Sequence, residues 1–315
     1  HPRDVRSYIA PDECQLSYNP ILMVALWEAV ATRDVTLFTH TMRRRFPLPE
    51  GTAWINYLRS HDDIGWGFAD EDAAEVGING TDHRRFLNRF FTGEFEGSFA
   101  TGLPFNFNPI TLDMRICGTM ASLAGLEQAS KSGDPLLLDR AVQRITAMYS
   151  VVFGAGGIPL LYLGDEVGTL NDYAYLHDAR TADDSRWVHR PAAQEDRYDR
   201  RHDPETAPGR IYLALQHLIH VRQRLPMLAD GDTNWLSSGN RHVLAYLRHG
   251  SLLALVNFSD FDERISRKSL GIEAFVSGTL HDLLTDQLLV DDDLVSLAPY
   301  QAMWLVLEDQ MRSST

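Results

Sequence analysis

The chain has 315 residues, 44 % of them hydrophobic and 23 % charged, an ordinary balance for a globular protein with a sizeable core. That length suits about two domains, at roughly 150 residues each. The formal net charge of −14 repels phosphate backbones and anionic lipids, so nucleic acid and membrane surfaces are poor candidate partners. A neutral ligand is not disfavoured by that field.

The sequence begins at His1 without an initiator Met or an apolar signal segment. No run approaches the roughly 20 apolar residues that span a membrane. The spacing of Cys14 and Cys117 suggests neither a disulfide framework nor a metal site. Two buried free thiols fit a reducing compartment, so we expect a cytoplasmic protein that is one part of a longer polypeptide.

The first part of the chain predicts alternating strands and helices. Residues 15–18 form a short candidate strand, and the apolar-rich run 21–31 a helix. Residues 52–58 are rich in β-branched and aromatic side chains, which indicates a buried strand. The polar segment 63–113 is too long for an ordinary connection and predicts a functional loop or an inserted subdomain.

Further along, the patterns predict two helices, a strand and a final helix. Helices are expected over 114–129 and 139–153, and the glycine-rich run 154–157 should end the second of them. The continuous apolar run 158–163 predicts a fully buried strand. A long polar loop follows, and residues 209–225 form an amphipathic helix.

After about residue 228 the pattern changes to short strand-like runs separated by turn residues. This predicts a small antiparallel β-sandwich domain over 229–315. Its predicted strands are 243–248, 252–257, 279–282, 295–297 and 303–307.

The alternating part fits a (β/α)₈ barrel, in which the loops after the strands carry the chemistry. Only about three of the eight strand–helix units are visible in the sequence. The predicted fold class is therefore α/β. It comprises the C-terminal part of a barrel over 1–228, with an inserted subdomain at about 63–113, and the β-sandwich domain after it.

The sharpest candidate for chemistry is Arg59-Ser60-His61-Asp62-Asp63, at the end of the predicted strand 52–58. A His-Asp pair at the C-terminal end of a barrel strand is well placed for an active site. Alone the pair is a weak signal, because a solvated aspartate beside a satisfied histidine gives the same pattern.

A second string strengthens the signal, because it resembles the eighth-strand signature of the α-amylase superfamily, in which the seventh strand ends in His-Asp. That string is Ile158-Pro159-Leu160-Leu161-Tyr162-Leu163-Gly164-Asp165-Glu166-Val167-Gly168. Later segments look like the last barrel helix and the C-terminal β domain of the same enzymes. The resemblance extends over essentially the whole chain.

Within that superfamily the chain most resembles the amylosucrases, on long and specific strings, and its 63–113 segment resembles the extra subdomain that they carry after the seventh strand. The strings are Ser60-His61-Asp62-Asp63-Ile64-Gly65-Trp66, Phe68-Ala69-Asp70-Glu71-Asp72-Ala73, Phe86-Leu87-Asn88-Arg89-Phe90-Phe91, Gly168-Thr169-Leu170-Asn171-Asp172 and Asp183-Asp184-Ser185-Arg186-Trp187-Val188-His189-Arg190-Pro191.

The resemblance implies a retaining glucosyltransferase that breaks sucrose, releases fructose and adds the glucosyl unit to an α-1,4-glucan. Asp62 would be the carboxylate that stabilises the transition state, and His61 would hydrogen-bond a glucosyl hydroxyl. The nucleophile and the acid/base carboxylate belong to earlier strands, so we expect the chain to lack both. The isolated chain should then be inactive and need the missing N-terminal half of the enzyme as a partner. The resemblance implies no cofactor, and a homodimer is left open.

Four further residues are predicted substrate-binding residues by the resemblance. Asp63 would face the fructosyl or acceptor unit, although it could instead cap a helix. Arg84 and Arg115 would line acceptor subsites, where a guanidinium can span two hydroxyls. Arg186 resembles an arginine that closes the floor of the pocket by pairing with an aspartate of the missing half. Arg84 and Arg115 could instead form ordinary surface ion pairs, and Arg186 could be an ordinary loop arginine.

Other acidic residues are expected to be structural. Asp165 and Glu166 should hydrogen-bond the rim of the barrel. The acidic runs 70–72 and 291–293 lack the glycine and distal glutamate of a calcium loop, so no metal site is predicted.

Two alternative functions remain open on the sequence. A sucrose hydrolase or sucrose isomerase of the same superfamily would differ only in which acceptor reaches the glucosyl intermediate. A non-catalytic carbohydrate-binding fragment is favoured by the two missing carboxylates.

Overall fold

The structure, a computed structural model, describes residues 2–229, 232–290 and 293–308. His1 and the first two aspartates of the acidic run 291–293 lie outside the described residues. Within these ranges the chain folds as a mixture of helices, a short parallel sheet and a larger antiparallel sheet, as the α/β prediction requires.

The N-terminal segment up to Asn56 brings two parallel strands together. Its elements are α1 (Pro2–Ser7), β1 (Leu16–Tyr18), α2 (Pro20–Thr32), α3 (Thr36–Arg45) and β2 (Ala53–Asn56). The side chain of Asn19 accepts a hydrogen bond from the amide of Leu22 at 3.1 Å, and Pro20 occupies the first turn, so the start of α2 is capped. The predicted helix 21–31 is confirmed, and the predicted strand 52–58 is confirmed over its central residues.

The segment predicted as an insertion has elements of its own. They are α4 (Asp70–Glu75), α5 (Gly80–Phe91), β3 (Leu103–Asn108) and β4 (Asp113–Cys117). β3 and β4 form an antiparallel hairpin. An antiparallel bridge between Ile64 and Ile116, with N–O distances of 2.8 and 2.9 Å, brings the beginning and the end of the segment together.

The helix predicted over 114–129 is wrong. Residues up to Cys117 belong to β4, and two short helices follow, α6 (Met120–Leu123) and α7 (Leu126–Ser132). Gly125 separates them with a left-handed φ of 99°, which glycine adopts without steric cost. The next helix, α8 (Pro135–Gly154), ends in the glycine-rich run, as predicted.

The run 158–163 is not the fully buried strand that its apolar composition predicts. Only β5 (Ile158–Pro159) is a strand, and it pairs with β2 alone in the order β1-β2-β5. Ile158 is 44 % exposed and Leu163 is 76 % exposed. An apolar run becomes a buried strand only where neighbours cover it, and within the described residues this run has a strand on one side only.

The last helices are α9 (Glu195–Asp199) and α10 (Ala207–Gln223), the second confirming the predicted amphipathic helix. The remaining strands are β6 (Thr233–Leu236), β7 (Val243–Arg248), β8 (Leu252–Asn257), β9 (Glu263–Ser266), β10 (Leu280–Asp282), β11 (Gln287–Leu289), β12 (Leu294–Leu297) and β13 (Ala302–Leu307).

These strands form a six-stranded antiparallel sheet in the order β11-β10-β13-β8-β7-β6 and a separate β9–β12 pair. One face of the large sheet shares an apolar core with β9 and β12. The other face contributes Tyr246 and Trp304 to the larger core, which also contains Tyr149 of α8. The large sheet therefore packs against the small β9–β12 sheet on one face and against helices on the other. The β-sandwich domain over 229–315 stays a prediction.

Candidate active site

His61 and Asp62 follow β2, at the C-terminal end of the parallel sheet. Their side chains are 68 % and 56 % exposed, and the distance from His61 Nε2 to Asp62 Oδ2 is 3.5 Å. The second oxygen of Asp62 lies 3.7 Å from the guanidinium of Arg190. Asp62 is thus an accessible carboxylate next to a histidine and an arginine, which suits hydrogen bonding to a polar neutral ligand.

Asp63 pairs with Arg115 at 3.0 Å, diagonally across the antiparallel Ile64–Ile116 bridge. The side chain of Asp63 is almost fully buried, and that of Arg115 is exposed. No helix begins at Asp63, since the next helix is α4, so the helix-cap alternative is excluded. The structure therefore brings two of the predicted binding residues together with Asp62.

Arg186 approaches the same group from the 3₁₀ helix Ser185–His189. Its guanidinium binds Asp184 at 2.8 Å and stacks over the ring of Phe105, 4.7 Å from its centroid. The hydrogen bond that Arg186 donates to Asp184 raises the pKa of Arg186, and the negative charges of Asp63 and Asp62 raise it further. Within the described residues, the carboxylate partner of Arg186 is thus Asp184, two residues away in the sequence. The resemblance implied an aspartate of the missing half instead.

Arg84, in contrast, is used within the insertion. It pairs with Asp70 at 2.7 Å and donates to the carbonyls of Trp66 and Phe68 at 3.1 and 3.0 Å. Its guanidinium also lies 4.5 Å from the centre of the Phe68 ring. The structure does not show Arg84 in contact with Asp62, Asp63, Arg115 or Arg186 within the described residues, so its role as an acceptor residue stays a prediction.

A buried ion pair lies beneath the site. Arg59 Nε donates to Asp165 at 2.7 Å, and the hydroxyl of Tyr149 donates to the other oxygen of Asp165 at 2.9 Å. Burial raises the pKa of Asp165, while Arg59 acts to lower it. Glu166 accepts from the Gly164 amide at 2.7 Å. Both acidic residues thus make the kind of hydrogen bond that the predicted structural role implies.

The sequence patterns predict no role for His189 and Arg190, although both lie in the run 183–191 that carries part of the resemblance. Both donate to the carbonyl oxygen of His61, His189 from Nε2 at 3.1 Å and Arg190 from Nε at 2.7 Å. Arg59 in turn donates to the carbonyl of His189 at 3.0 Å. These bonds end on backbone oxygens, which every residue type has, so composition and spacing carried no signal for them.

Burial lowers the pKa of His189 to about 4, and the positive charges of Arg59 and Arg190 act in the same direction. An unfolded histidine titrates near 6.5. Because the folded value is lower, the unfolded chain binds the proton first, and stability is lost as the pH falls from about 6.5 toward 4.

We therefore expect protonation of His189 to lower the free energy of unfolding by about 3 kcal/mol as the pH falls from 6.5 to 4. The measurement is the free energy of unfolding from urea melts across that range. The His189→Gln variant is the control, since glutamine does not titrate there. Equal pH slopes for the two proteins would show that His189 is protonated equally in the folded and unfolded chains.

No group of three or more His, Cys, Asp or Glu side chains is placed to hold a metal ion in the ranges that the structure describes. In the acidic run 70–72, Glu71 and Asp72 both pair with Arg45, at 2.9 and 2.8 Å. Across the same ranges, no helix is long and apolar enough to cross a membrane.

The fold of the chain is similar to the folds of several solved structures, at low sequence identity. AmyP bound to maltotriose has a TM-score of 0.56 at 14% identity, covering 97% of this chain and 53% of that one. The cyclic α-maltosyl-(1→6)-maltose hydrolase of Arthrobacter globiformis also scores 0.56 at 14% identity, covering 98% and 48%. The sucrose 6F-phosphate phosphorylase of Thermoanaerobacter thermosaccharolyticum scores 0.52 at 14% identity, covering 77% and 43%.

These similarities concern the fold. No protein-family model matches the sequence. The chain spans about half the length of the solved structures that it matches.

Proposed function

We propose that this chain is the C-terminal part of an amylosucrase-type enzyme. Such an enzyme is a retaining glucosyltransferase that takes glucose from sucrose, releases fructose and extends an α-1,4-glucan. The observation that carries the proposal is the accessible Asp62 beside His61, at the C-terminal end of a parallel strand in an α-amylase-like fold. In barrel enzymes this end of the strands holds the active site.

Retaining glycoside chemistry needs a nucleophile and an acid/base carboxylate about 5–5.5 Å apart, with an oxocarbenium-like transition state between them. In the proposal a polypeptide segment outside these 315 residues supplies both groups. Asp62 contributes the third negative charge, which favours the cationic sugar ring more than the neutral ground state. An interaction of that kind raises the rate of the chemical step.

Exposed apolar side chains support a companion segment. β1 and β5 form the two edges of the parallel sheet, and both edges carry open hydrophobic residues. Leu16 and Tyr18 are half exposed on β1, and Ile158 and Leu163 are exposed at and after β5. Open strand edges bind other strands readily, so the proposed partner is the N-terminal half that would continue this sheet on both sides.

The glucan acceptor would lie against the insertion. The hairpin of β3 and β4 carries Arg115, and the loop opposite carries Arg186, both within the group around Asp62 and Asp63. Guanidinium groups hydrogen-bond sugar hydroxyls in a fixed geometry, which suits a chain end held for transfer.

The test is to incubate the complete enzyme, containing this chain and the segment with the two carboxylates, with sucrose as the sole sugar. Glucan synthesis predicts free fructose well in excess of free glucose, with the difference recovered in polymer. A sucrose hydrolase would release equal amounts of both sugars, and an isomerase would yield a new disaccharide. Absence of any sucrose consumption would contradict the proposal.

The alternative of a carbohydrate-binding fragment has one supporting observation: the described acidic groups of the site are aspartates that pair with arginines, as Asp63 and Asp184 do. Titration of the isolated chain with maltotriose distinguishes the two. If the isolated chain bound maltotriose while the complete enzyme consumed no sucrose, the carbohydrate-binding fragment would be favoured.

We expect Arg115→Ala to change the product distribution more than sucrose consumption. Losing one charge-assisted contact should weaken acceptor binding by about 1–3 kcal/mol, so that water captures more of the glucosyl intermediate. The measurement is the ratio of free to polymer-bound glucose at equal sucrose conversion. Arg85→Ala is the matched control, because Arg85 lies on α5 and contacts Asp82. A ratio unchanged from wild type would exclude Arg115 from the acceptor path.

A further inference from the structure

One peptide unit in the site is held on both sides. The carbonyl of His61 and the amide of Asp62 belong to the same planar unit, whose C–N bond does not rotate freely. The carbonyl accepts hydrogen bonds from His189 and Arg190, and the Asp62 amide donates to Ser60 Oγ at 3.1 Å. The Cα of Asp62 lies at one end of this unit. These three hydrogen bonds therefore fix the position from which the Asp62 side chain extends.

His189 connects this unit to a second segment. Its Nδ1 accepts from the backbone amide of Gly118 at 3.1 Å, immediately after β4. A Cβ on Gly118 would lie 2.7 Å from the side chain of Leu123, which would have to shift to accommodate it. The ring is almost wholly buried. It therefore joins the loop after β2 to the end of the hairpin that carries Arg115.

The two contacts specify one state of the ring. Nδ1 faces an N–H donor, so it must carry a lone pair, and Nε2 faces a carbonyl oxygen, so it must carry the proton. A doubly protonated ring would direct an N–H group against the Gly118 amide. The charged groups around the ring are Arg59, Arg190 and Asp63, two cations and one anion.

We propose that His189, as the neutral Nε2–H tautomer, is the positioning residue that fixes the His61–Asp62 peptide for glucosyl transfer. It touches no reacting atom and acts through the backbone. The proposal rests on the proposed function for its kinetic consequence, but the tautomer and the backbone geometry stand independently of it.

Two substitutions separate positioning from general stability. His189→Gln keeps both contacts, since the amide oxygen can accept from Gly118 while the amide N–H donates to the His61 carbonyl. His189→Leu is of similar size and removes both. The first measurement is made on wild type, with ¹⁵N-labelled histidine, whose nitrogen shifts distinguish the two tautomers. We expect Nε2 protonated and Nδ1 unprotonated from pH 5.5 to pH 8.

The second measurement is kinetic, on the complete enzyme with sucrose. A misplacement of about 1 Å can cost on the order of 10²-fold in rate, so we expect His189→Leu to lower kcat by up to that factor while KM changes little. His189→Gln should recover most of kcat at equal or lower thermal stability.

The outcomes are distinguishable from those of the proposed function. If the wild-type enzyme does not consume sucrose, the proposed function fails, and the backbone shifts of His61 and Asp62 then decide the positioning: they should move in the Leu variant and stay in the Gln variant. A wild-type ring protonated on Nδ1 would overturn the inference. So would a Leu variant with unchanged shifts and kcat. If the Leu variant does not fold, the wild-type tautomer and the backbone shifts and kcat of the Gln variant decide the inference.

Discussion

Replacing Arg59 with leucine is expected to lower the free energy of unfolding by about 3–5 kcal/mol. Arg59 and Asp165 have side-chain exposures of 2 % and 1 %, and their atoms are 2.7 Å apart. Removal of the guanidinium leaves the Asp165 carboxylate buried with Tyr149 as its remaining side-chain donor. Burial of an uncompensated charge is far more costly than the loss of one hydrogen bond, which explains the size of the effect.

Arg180→Leu is the matched control. Arg180 pairs with Asp178 at 2.6 Å, a similar distance, but its side chain is 87 % exposed. Exposed pairs contribute little to stability because solvent screens them, so the control should unfold nearly as wild type does. Urea melts of the two variants provide the comparison. A loss of under about 1 kcal/mol in Arg59→Leu would mean that water reaches Asp165 and that the pair does not hold the site in place.

Loss of Arg59 should also change the backbone of the candidate site. Arg59 donates to the carbonyl of His189, and His189 donates to the carbonyl of His61. The buried pair, the loop 185–190 and the loop after β2 are therefore one connected network. A partly folded Arg59→Leu variant should show altered backbone shifts at His61, whereas the Arg180 control should not.

The elements that were predictable from the sequence are those whose pattern is local. β7 and β8 were predicted at their observed bounds, because each is a continuous apolar run limited by turn residues. α8 has a capping Asp134 before Pro135 and a glycine-rich end, so its sequence contains a start signal and a stop signal for the helix. In these segments the local pattern and the tertiary environment agree.

Where tertiary contacts decide the structure, the local sequence pattern predicted the wrong secondary structure or none. The segment 114–129 contains enough apolar residues for a helix, yet β4 pairs with β3 and draws the first part of it into a hairpin. The apolar run 158–163 required neighbours on both sides to become a buried strand. Helix α3 was missed because only a few of its residues, among them Phe38 and Met42, are apolar and buried beside three consecutive arginines.

The candidate site shows the same division. Asp62, Asp63, Arg115 and Arg186 were predicted through the resemblance, and they lie near one another in the structure. The residues that hold this group in place were not found, since their partners are backbone carbonyls and amides. Sequence patterns identify side chains that could react, while the hydrogen bonds that position them depend on the folded backbone.

The largest expected effect on activity is that of Asp62→Asn in the complete enzyme. The substitution keeps the volume of the side chain and removes the negative charge that would face the developing oxocarbenium ion. Losing one positioned electrostatic group lowers turnover on the order of 10²–10³-fold. Because Asp62 is more than half exposed and makes its ion contacts at 3.5 and 3.7 Å, its charge is not needed to hold the fold.

Two properties of the Asp62→Asn variant test this assignment together. Its free energy of unfolding should stay within about 0.5 kcal/mol of wild type, as surface substitutions usually do, while kcat for sucrose falls. Asp82→Asn is the matched control, because Asp82 is an exposed aspartate on α5 and its contact is with Arg85. That control should keep full turnover and stability.

If Asp62→Asn consumed sucrose at the wild-type rate, Asp62 would have no part in the chemical step, and the exposed His-Asp pair would be a solvated turn after β2. If the variant instead lost stability and turnover in parallel, the contacts of Asp62 with His61 and Arg190 would be structural. Only a loss of turnover at unchanged stability assigns its charge to the transition state.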